Sequence, residues 1–502
     1  MAQPGFPLLS LIVFLPLAGA LALLLFKGAR PQAIRWWALG VSVVELALSL
    51  WLILAWQSGS GMQFADGPAA WIPELGIGYH LGVDGISLFL VLLTAFLWPL
   101  AVLASWDRIV EREKGYYFFL LLLQTGCLGV FTALDTALFY VFWEAMLLPM
   151  YFLIGRWGGE RRVYATTKFF LYTMAGSALM LVAILAGYVL SGSFSLASLA
   201  AAGLTKTQQT WLFLAFGLAF AVKAPLFPFH TWLPDAYGES PAPVTALLAG
   251  VLSKMGVYGF LRFCLPLFPD AVATFAPAIA VLAMIGVVYA ALNALVQKSV
   301  KLVIAYSSIG HISLILLGIL AVNTEAVGGA ALQMINHGIN IALLFLLADM
   351  LKRRTGTDEI AALGGLWKVL PWLGTLLLVA VFASVGLPGT NGFVGEMSLL
   401  VGVFQANQLY AAIGATGLIL GAWYMLNLYR NVMLGPLAGR DKKTPAPEYR
   451  DLSGREALVL APLAVVIFLV GILPNLLLAR LTPSVESLVQ QAQVTEEIVA
   501  GK

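Results

Sequence analysis

Four ionisable side chains stand inside runs that are otherwise apolar: Glu144, Lys223, Lys254 and Glu396. Glu144 falls in Phe142-Trp143-Glu144-Ala145-Met146, Lys223 in Ala221-Val222-Lys223-Ala224-Pro225, and Lys254 in Ser253-Lys254-Met255-Gly256. Glu396 closes Phe393-Val394-Gly395-Glu396. A charge at the centre of a bilayer costs roughly 2.5–3.5 kcal/mol on insertion scales, so such a residue defaults to a functional reading. The chemistry within reach is proton exchange. A carboxylate beside a lysine favours the ammonium, while desolvation disfavours it. Moving Glu144 and Lys223 relative to one another therefore changes the lysine's hold on its proton, by about 1.4 kcal/mol per pKa unit.

Polar residues at helical spacing extend this set. Ser307 and His311 share one face with Ser308 beside them, and Gln333, His337 and Asn340 form a stripe down the following apolar run. Singly, each could be interhelical glue. Two stripes in adjacent spans exceed what packing needs, and together with water they could relay protons between the lysines and Glu396. His230 lies just past Pro225 and Pro228, where gating and a structural role are equally served. Lys254 has about ten residues of helix on either side, roughly 15 Å each way, too far to snorkel. Glu396 could also be a helix-start carboxylate held by the macrodipole. Asp84, Asp135, Asp235 and Glu239 fall at span ends, where capping is the expected role.

These residues need a membrane to sit in. The 502-residue chain is 61% hydrophobic and 11% charged, with a mean hydropathy of +0.91, which describes a polytopic all-α membrane protein. Its net charge of +3 carries no nucleic-acid signal. Cys127 and Cys264 fall inside apolar runs, without metal-type spacing, and no Gly-rich dinucleotide fingerprint is present. No redox cofactor or metal is expected on this chain. The first apolar run lacks a charged leader and reads as a retained span.

Apolar runs predict fourteen spans, near 7–26, 34–56, 83–104, 116–133, 136–155, 167–190, 209–229, 243–265, 272–294, 301–320, 327–350, 371–404, 409–429 and 457–479. Of the 28 Lys and Arg, 22 fall in the connections after odd-numbered spans. Lys206, Arg262, Arg480 and Lys502 fall on the other side, and Lys223 and Lys254 within spans. That bias places the odd-numbered loops in the cytoplasm and both termini outside.

Two spans are interrupted, one at Lys223-Ala224-Pro225 through Pro228, the other at Gly386-Leu387-Pro388-Gly389. They lie five spans apart. Paired Pro/Gly interruptions point to inverted repeats with their sites at the breaks. The expected organisation is three N-terminal spans (1–110), a first unit of spans four to eight (111–266), an inverted second unit of spans nine to thirteen (267–435), and a loop, last span and tail (436–502).

The motifs Phe142-Trp143-Glu144, Val222-Lys223-Ala224-Pro225 through Leu233-Pro234-Asp235-Ala236, Ser253-Lys254-Met255-Gly256, Ala305-Tyr306-Ser307-Ser308-Ile309-Gly310-His311 and Leu387-Pro388-Gly389-Thr390 through Gly395-Glu396 carry a resemblance. Across essentially the whole length, the chain resembles the antiporter-like proton-channel subunits of respiratory complex I. It is most similar to the M-type, which has glutamate at the twelfth-span site and no long lateral helix. The resemblance implies that Glu144 modulates Lys223, Lys254 passes the proton sideways and Glu396 hands it outward. It also implies L-type and N-type antiporter-like neighbours, with NADH, FMN, iron–sulfur clusters and quinone in partner subunits. The expected place is the bacterial cytoplasmic (inner) membrane, an organellar inner membrane being the alternative. Mrp-type sodium/proton antiporters and membrane-bound hydrogenases carry variants of the same motifs and are the alternative readings.

Overall fold

The computed structural model describes residues 6–26, 28, 30–437 and 449–500, with side chains as far as 493. The expected cytoplasmic loop at 430–456 is therefore described only in part, 438–448 lying outside those residues. The architecture is a helical bundle. In chain order the first elements are α1 (Leu8–Leu24), α2 (Pro31–Leu54), strands β1 (Gln63–Ile72) and β2 (Ile77–Val83), α3 (Gly85–Ser105), α4 (Glu113–Thr132), α5 (Thr136–Ala145), α6 (Leu147–Trp157), α7 (Arg162–Ser191) and the short α8 (Leu196–Ala200). Next come α9 (Lys206–Lys223) and α10 (Trp232–Glu239), then one interrupted helix made of α11 (Ala242–Leu247), α12 (Lys254–Gly259) and α13 (Leu265–Leu267). The chain continues through α14 (Pro269–Val296), α15 (Val300–Leu320), α16 (Thr324–Thr355), α17 (Pro371–Ser384), α18 (Asn391–Ala406), α19 (Gln408–Met433), α20 (Gly454–Ile472) and α21 (Asn475–Ala500).

Helix is the natural state for these runs, because a backbone in hydrocarbon must satisfy its own polar groups. Among the described residues, 11 helices are long and apolar enough to cross a membrane, α1 and α17 being shorter apolar ones. Their ends follow the local sequence. Asp84 and Thr205 close capping boxes, Asp135, Asn323 and Asn407 accept from first-turn amides, and Pro31 occupies the first turn of α2. The α5/α6 break at Met146 comes from Pro149, which cannot donate to the carbonyl of Ala145.

The helices differ in how deeply they sit. Ala242–Leu267, Thr324–Thr355 and Gly85–Ser105 are enclosed by their neighbours, whereas Pro31–Leu54, Gln408–Met433 and Gly454–Ile472 turn most of their surface outward. Polar side chains on the enclosed helices therefore meet protein, not lipid. That is why these helices can carry them.

Two elements depart from the sequence reading. The stretch before α3 is an antiparallel hairpin, pairing Gln63 with Val83 and Ala69 with Tyr79 and turning at Gly76, which adopts φ +69°. Asp66 fastens it to α1 through the Ser10 amide (2.7 Å) and hydroxyl (2.8 Å). At the other end, the run expected over 457–479 stops at Leu473–Pro474, where the proline interrupts the helix, and α21 follows. The tail expected after the last span is thus helical. It packs against α3 and α16, with Gly85 N donating to Ser484 Oγ at 2.9 Å and Gln493 Nε2 to Val322 O at 3.0 Å.

Candidate functional site

Lys223 is the last residue of α9, at the interruption the sequence placed at Lys223-Ala224-Pro225. Pro225 and Pro228 end the helix there. Leu226 N reaches back to Ala221 O at 2.9 Å, and Trp232 Nε1 donates to the freed Val222 carbonyl at 2.9 Å. Protein thus satisfies part of the break. The Lys223 side chain is buried at 1% exposure, and its Nζ finds no hydrogen-bond partner. It lies 5.4 Å from the Trp143 ring centre and 5.5 Å from that of Phe169, a cation–π setting. Glu144 acts on it electrostatically without forming an ion pair, and Glu144 Oε1 is likewise unpartnered.

Glycines let the next helix approach this break. A Cβ on Gly256 would overlap the backbone of Ala224 and Phe220, and one on Gly259 the Phe220 ring. Overpacking against backbone costs about 1–3 kcal/mol or more. Gly256→Val is expected to lower the amount of assembled complex and its thermal midpoint in detergent. A variant with wild-type yield and midpoint would show that the approach is loose.

Lys254 lies between two π turns, Leu248–Leu252 and Phe260–Cys264, in a helix read from sequence as regular. Ser253 N bonds to Leu248 O at 3.1 Å, an i→i−5 contact that shifts the register. The lysine is fully buried; its Nζ donates to Ala249 O at 2.6 Å and meets His337 Nδ1 at 2.6 Å. With the ammonium as donor, Nδ1 is the acceptor and the ring proton sits on Nε2, which has no protein partner. The His337 and His311 ring centres are 5.3 Å apart. His311 Nδ1 lies 3.2 Å from Glu396 Oε1, which also accepts from Gln333 Nε2 at 3.0 Å. Lys254, His337, His311 and Glu396 therefore form one file.

The second break holds Glu396 in place. Gly386 and Gly389 take φ +68° and +91° between α17 and α18, conformations that side chains rarely adopt. Asn340 Nδ2 donates to Ala383 O at 3.2 Å, and Asn336 Nδ2 to Asn391 O at 2.7 Å. Glu396 lies in the second turn of α18, near the positive end of that half-helix, while Lys223 lies at the negative end of α9. Each charge is placed where the local dipole favours it.

Not every candidate joins the file. Asn340 uses its amide to hold the break. His230 stands apart, its ring centre 5.6 Å from Phe227 and 5.0 Å from Tyr289. Ser307 Oγ makes no hydrogen bond. The span-end acids are tied down. Asp84 caps α3 and pairs with Arg262 at 2.6 Å, and Asp135 caps α5. Asp235 pairs with Lys168 at 2.8 Å, and Glu239 Oε2 accepts from Arg161 N at 2.9 Å.

Sequence reasoning passed over Asn336, which carries no charge to draw attention. It also passed over Glu45, fully buried in α2 and bonded to Ser49 (2.8 Å) and Gln124 (2.8 Å). A glutamate amid Val43, Val44 and Leu46 was itself the available signal.

The family model described as "NADH:quinone oxidoreductase/Mrp antiporter, TM" matches residues 133–421, and "NADH-ubiquinone oxidoreductase chain 4, amino terminus" matches 69–128. The NADH-quinone oxidoreductase subunit M of Rhodobacter capsulatus is 44% identical over 501 residues, covering 96% of each chain. This chain belongs to the M-subunit family of NADH-quinone oxidoreductases. It is a proton-translocating subunit of the complex I kind. In the solved respiratory complex I of Thermus thermophilus, one chain superposes with a TM-score of 0.88 at 32% identity, covering 96% of this chain and 99% of that one. A chain of the Mrp complex from Dietzia sp. DQ12-45-1b reaches a TM-score of 0.85 at 22% identity, covering 97% and 100%. That likeness is one of fold, so the Mrp reading is the more distant.

Proposed function

We propose that this M-type chain moves protons through Glu144, Lys223, Lys254, His337, His311 and Glu396, driven by redox chemistry in partner subunits. The supporting observation is the file from Lys254 to Glu396, in which each group touches or faces the next. Ser307, Gln333, Asn340 and His230 support or border it. The chain itself performs no redox step; NADH, FMN, iron–sulfur clusters and quinone belong to its partners, with L-type and N-type subunits as membrane-arm neighbours.

The architecture behind this reading has fourteen spans: the 11 long helices, α1, and the two broken pairs α9/α10 and α17/α18. Units 111–266 and 267–435 each carry the broken helix as their fourth member, the arrangement inverted repeats produce. Residues 1–110 precede them and 436–502 follow. The excess of Lys and Arg places the odd-numbered loops on the cytoplasmic side of a bacterial inner membrane and both termini outside.

Lys254→Ala tests this in native-host membranes with the assembled complex verified. The NADH-driven pH gradient is expected to fall to the level of an uncoupled control. A gradient like the wild type's would remove Lys254, and the file it begins, from the pathway.

A further inference from the structure

The interrupted helix that carries Lys254 runs on towards the side assigned to the outside. Tyr258 and Arg262 follow Lys254 in it, the arginine about 12 Å further along the axis. A proton at Lys254 thus has a polar line ahead of it that leads straight out, without the crossing to Glu396. That line ends in a buried ion pair. Arg262 Nη2 lies 2.6 Å from Asp84 Oδ2, with 10% and 6% of the two side chains exposed. The other carboxylate oxygen is used at the start of α3. It accepts from the Ile86 amide (3.1 Å), the Ser87 amide (2.9 Å) and the Ser87 hydroxyl (3.1 Å).

The line is built so that it passes no proton. Tyr258 is buried; its hydroxyl donates to Phe131 O at 3.2 Å and accepts from Arg262 Nε at 3.2 Å. A main-chain carbonyl does not take a proton and hand it on, and a guanidinium does not release one. Both sides of the hydroxyl are therefore occupied by dead ends. The guanidinium, not the carboxylate, bonds Tyr258, so a proton coming from Lys254 meets the positive end of the pair first. Beyond the pair, α21 covers the start of α3: Gly85 N donates to Ser484 Oγ at 2.9 Å, and a Cβ on Gly85 would overlap Arg480 O. Stability alone does not account for these charges, since well-packed apolar side chains commonly hold helices as firmly as a buried ion pair. What apolar residues would not supply is a fixed positive charge outward of Lys254. Arginine in a membrane passage excludes protons and other cations.

We propose that the Arg262–Asp84 pair is an electrostatic seal on the outward side of Lys254, so that the proton there leaves only sideways, towards His337 and Glu396. The guanidinium repels a hydrated proton, Asp84 holds that charge in place, and Tyr258 fills the passage with a hydroxyl already committed on both sides. Arg262 and Asp84 are positioning residues: neither takes up nor releases a proton during turnover. The proposal rests on the relay reading above, and its test separates the two.

Purified complex is reconstituted into liposomes, a pH step is imposed without NADH, and the decay of the gradient is followed per complex. The double variant Asp84→Asn/Arg262→Met keeps a capping side chain on α3 and removes both charges. It is expected to speed the decay about tenfold, the lower end of what a focused charge does to local ion concentration. Arg262→Lys keeps the charge and is expected to hold the gradient as wild type does. Adding Lys254→Ala to the double variant is expected to restore wild-type tightness, because the leak runs through that lysine. A double variant as tight as wild type refutes the seal and leaves the relay standing. A leak that survives Lys254→Ala, or that Arg262→Lys shares, is a packing defect and overturns the seal as well. If Lys254→Ala alone leaves NADH-driven pumping intact, the relay fails and the seal has nothing to close. Should the double variant not assemble, Asp84→Asn/Arg262→Gln, whose two amides can still bond each other, takes its place.

Discussion

Membranes carrying Lys223→Ala, with the complex assembled, lose NADH-driven quinone reduction and the accompanying pH gradient together. The reason lies in how little holds this lysine. Its Nζ has two aromatic faces but no hydrogen bond, and Glu144 acts on it from a distance. A group kept for structure alone would not be left there, because burying an unpaired cation is among the most expensive placements available. Alanine removes the proton carrier, and in a coupled machine the redox step stalls with it. Lys223→Arg separates two meanings of this loss. Arginine keeps the positive charge near Trp143 and Phe169 but does not release its proton. It is expected to fail like alanine. If the arginine variant pumps at the wild-type rate, Lys223 is a fixed charge and not a carrier.

The spans were legible in the sequence because hydrocarbon imposes a single rule on long apolar runs. The two breaks were legible because proline and glycine act through the chain's own geometry. Interhelical partnership was harder to see. That Lys254 meets His337 depends on the π turn just before it, which rotates every later side chain relative to a regular helix. Helical spacing along 243–265 could not have located that contact. The role of Asn340 shows the same limit. On its own helix it belongs to a polar stripe, and only the neighbouring helix shows that its amide is used on Ala383 O.

The hairpin at 63–83 escaped for another reason. Gly67, Pro68 and Pro73 interrupt any alternation, and the pairing is irregular, with register shifts after Gln63, Asp66 and Ala70. Glu45 marks the opposite case. It is as visible in the sequence as Glu144, but only the structure ranks them. Glu45 is bonded through both oxygens, to Ser49 and Gln124, whereas Glu144 keeps an unpartnered oxygen near a lysine. Presence in a span marks a residue as costly. What it touches determines what the cost supports.

Glu396→Gln carries the second large effect, because it changes one group and little else. Glutamine has nearly the same shape, so Gly386, against which Glu396 Oε2 packs, need not move. Its amide oxygen can still accept from Gln333, as Oε1 does now. What disappears is an oxygen able to take a proton at the end of the file. Proton output through this chain should therefore drop by roughly 10²-fold or more, in the range of a lost acid–base group. Assembly and thermal midpoint should stay close to wild type. Glu396→Ala would lose pumping as well, but it also strands Gln333 and His311 without their shared acceptor, so its midpoint should fall. The pair of variants thus separates chemistry from scaffolding. If the glutamine variant pumps normally while the alanine variant is destabilised, Glu396 only braces the α16/α18 contact, and protons leave the file at His311 by another path.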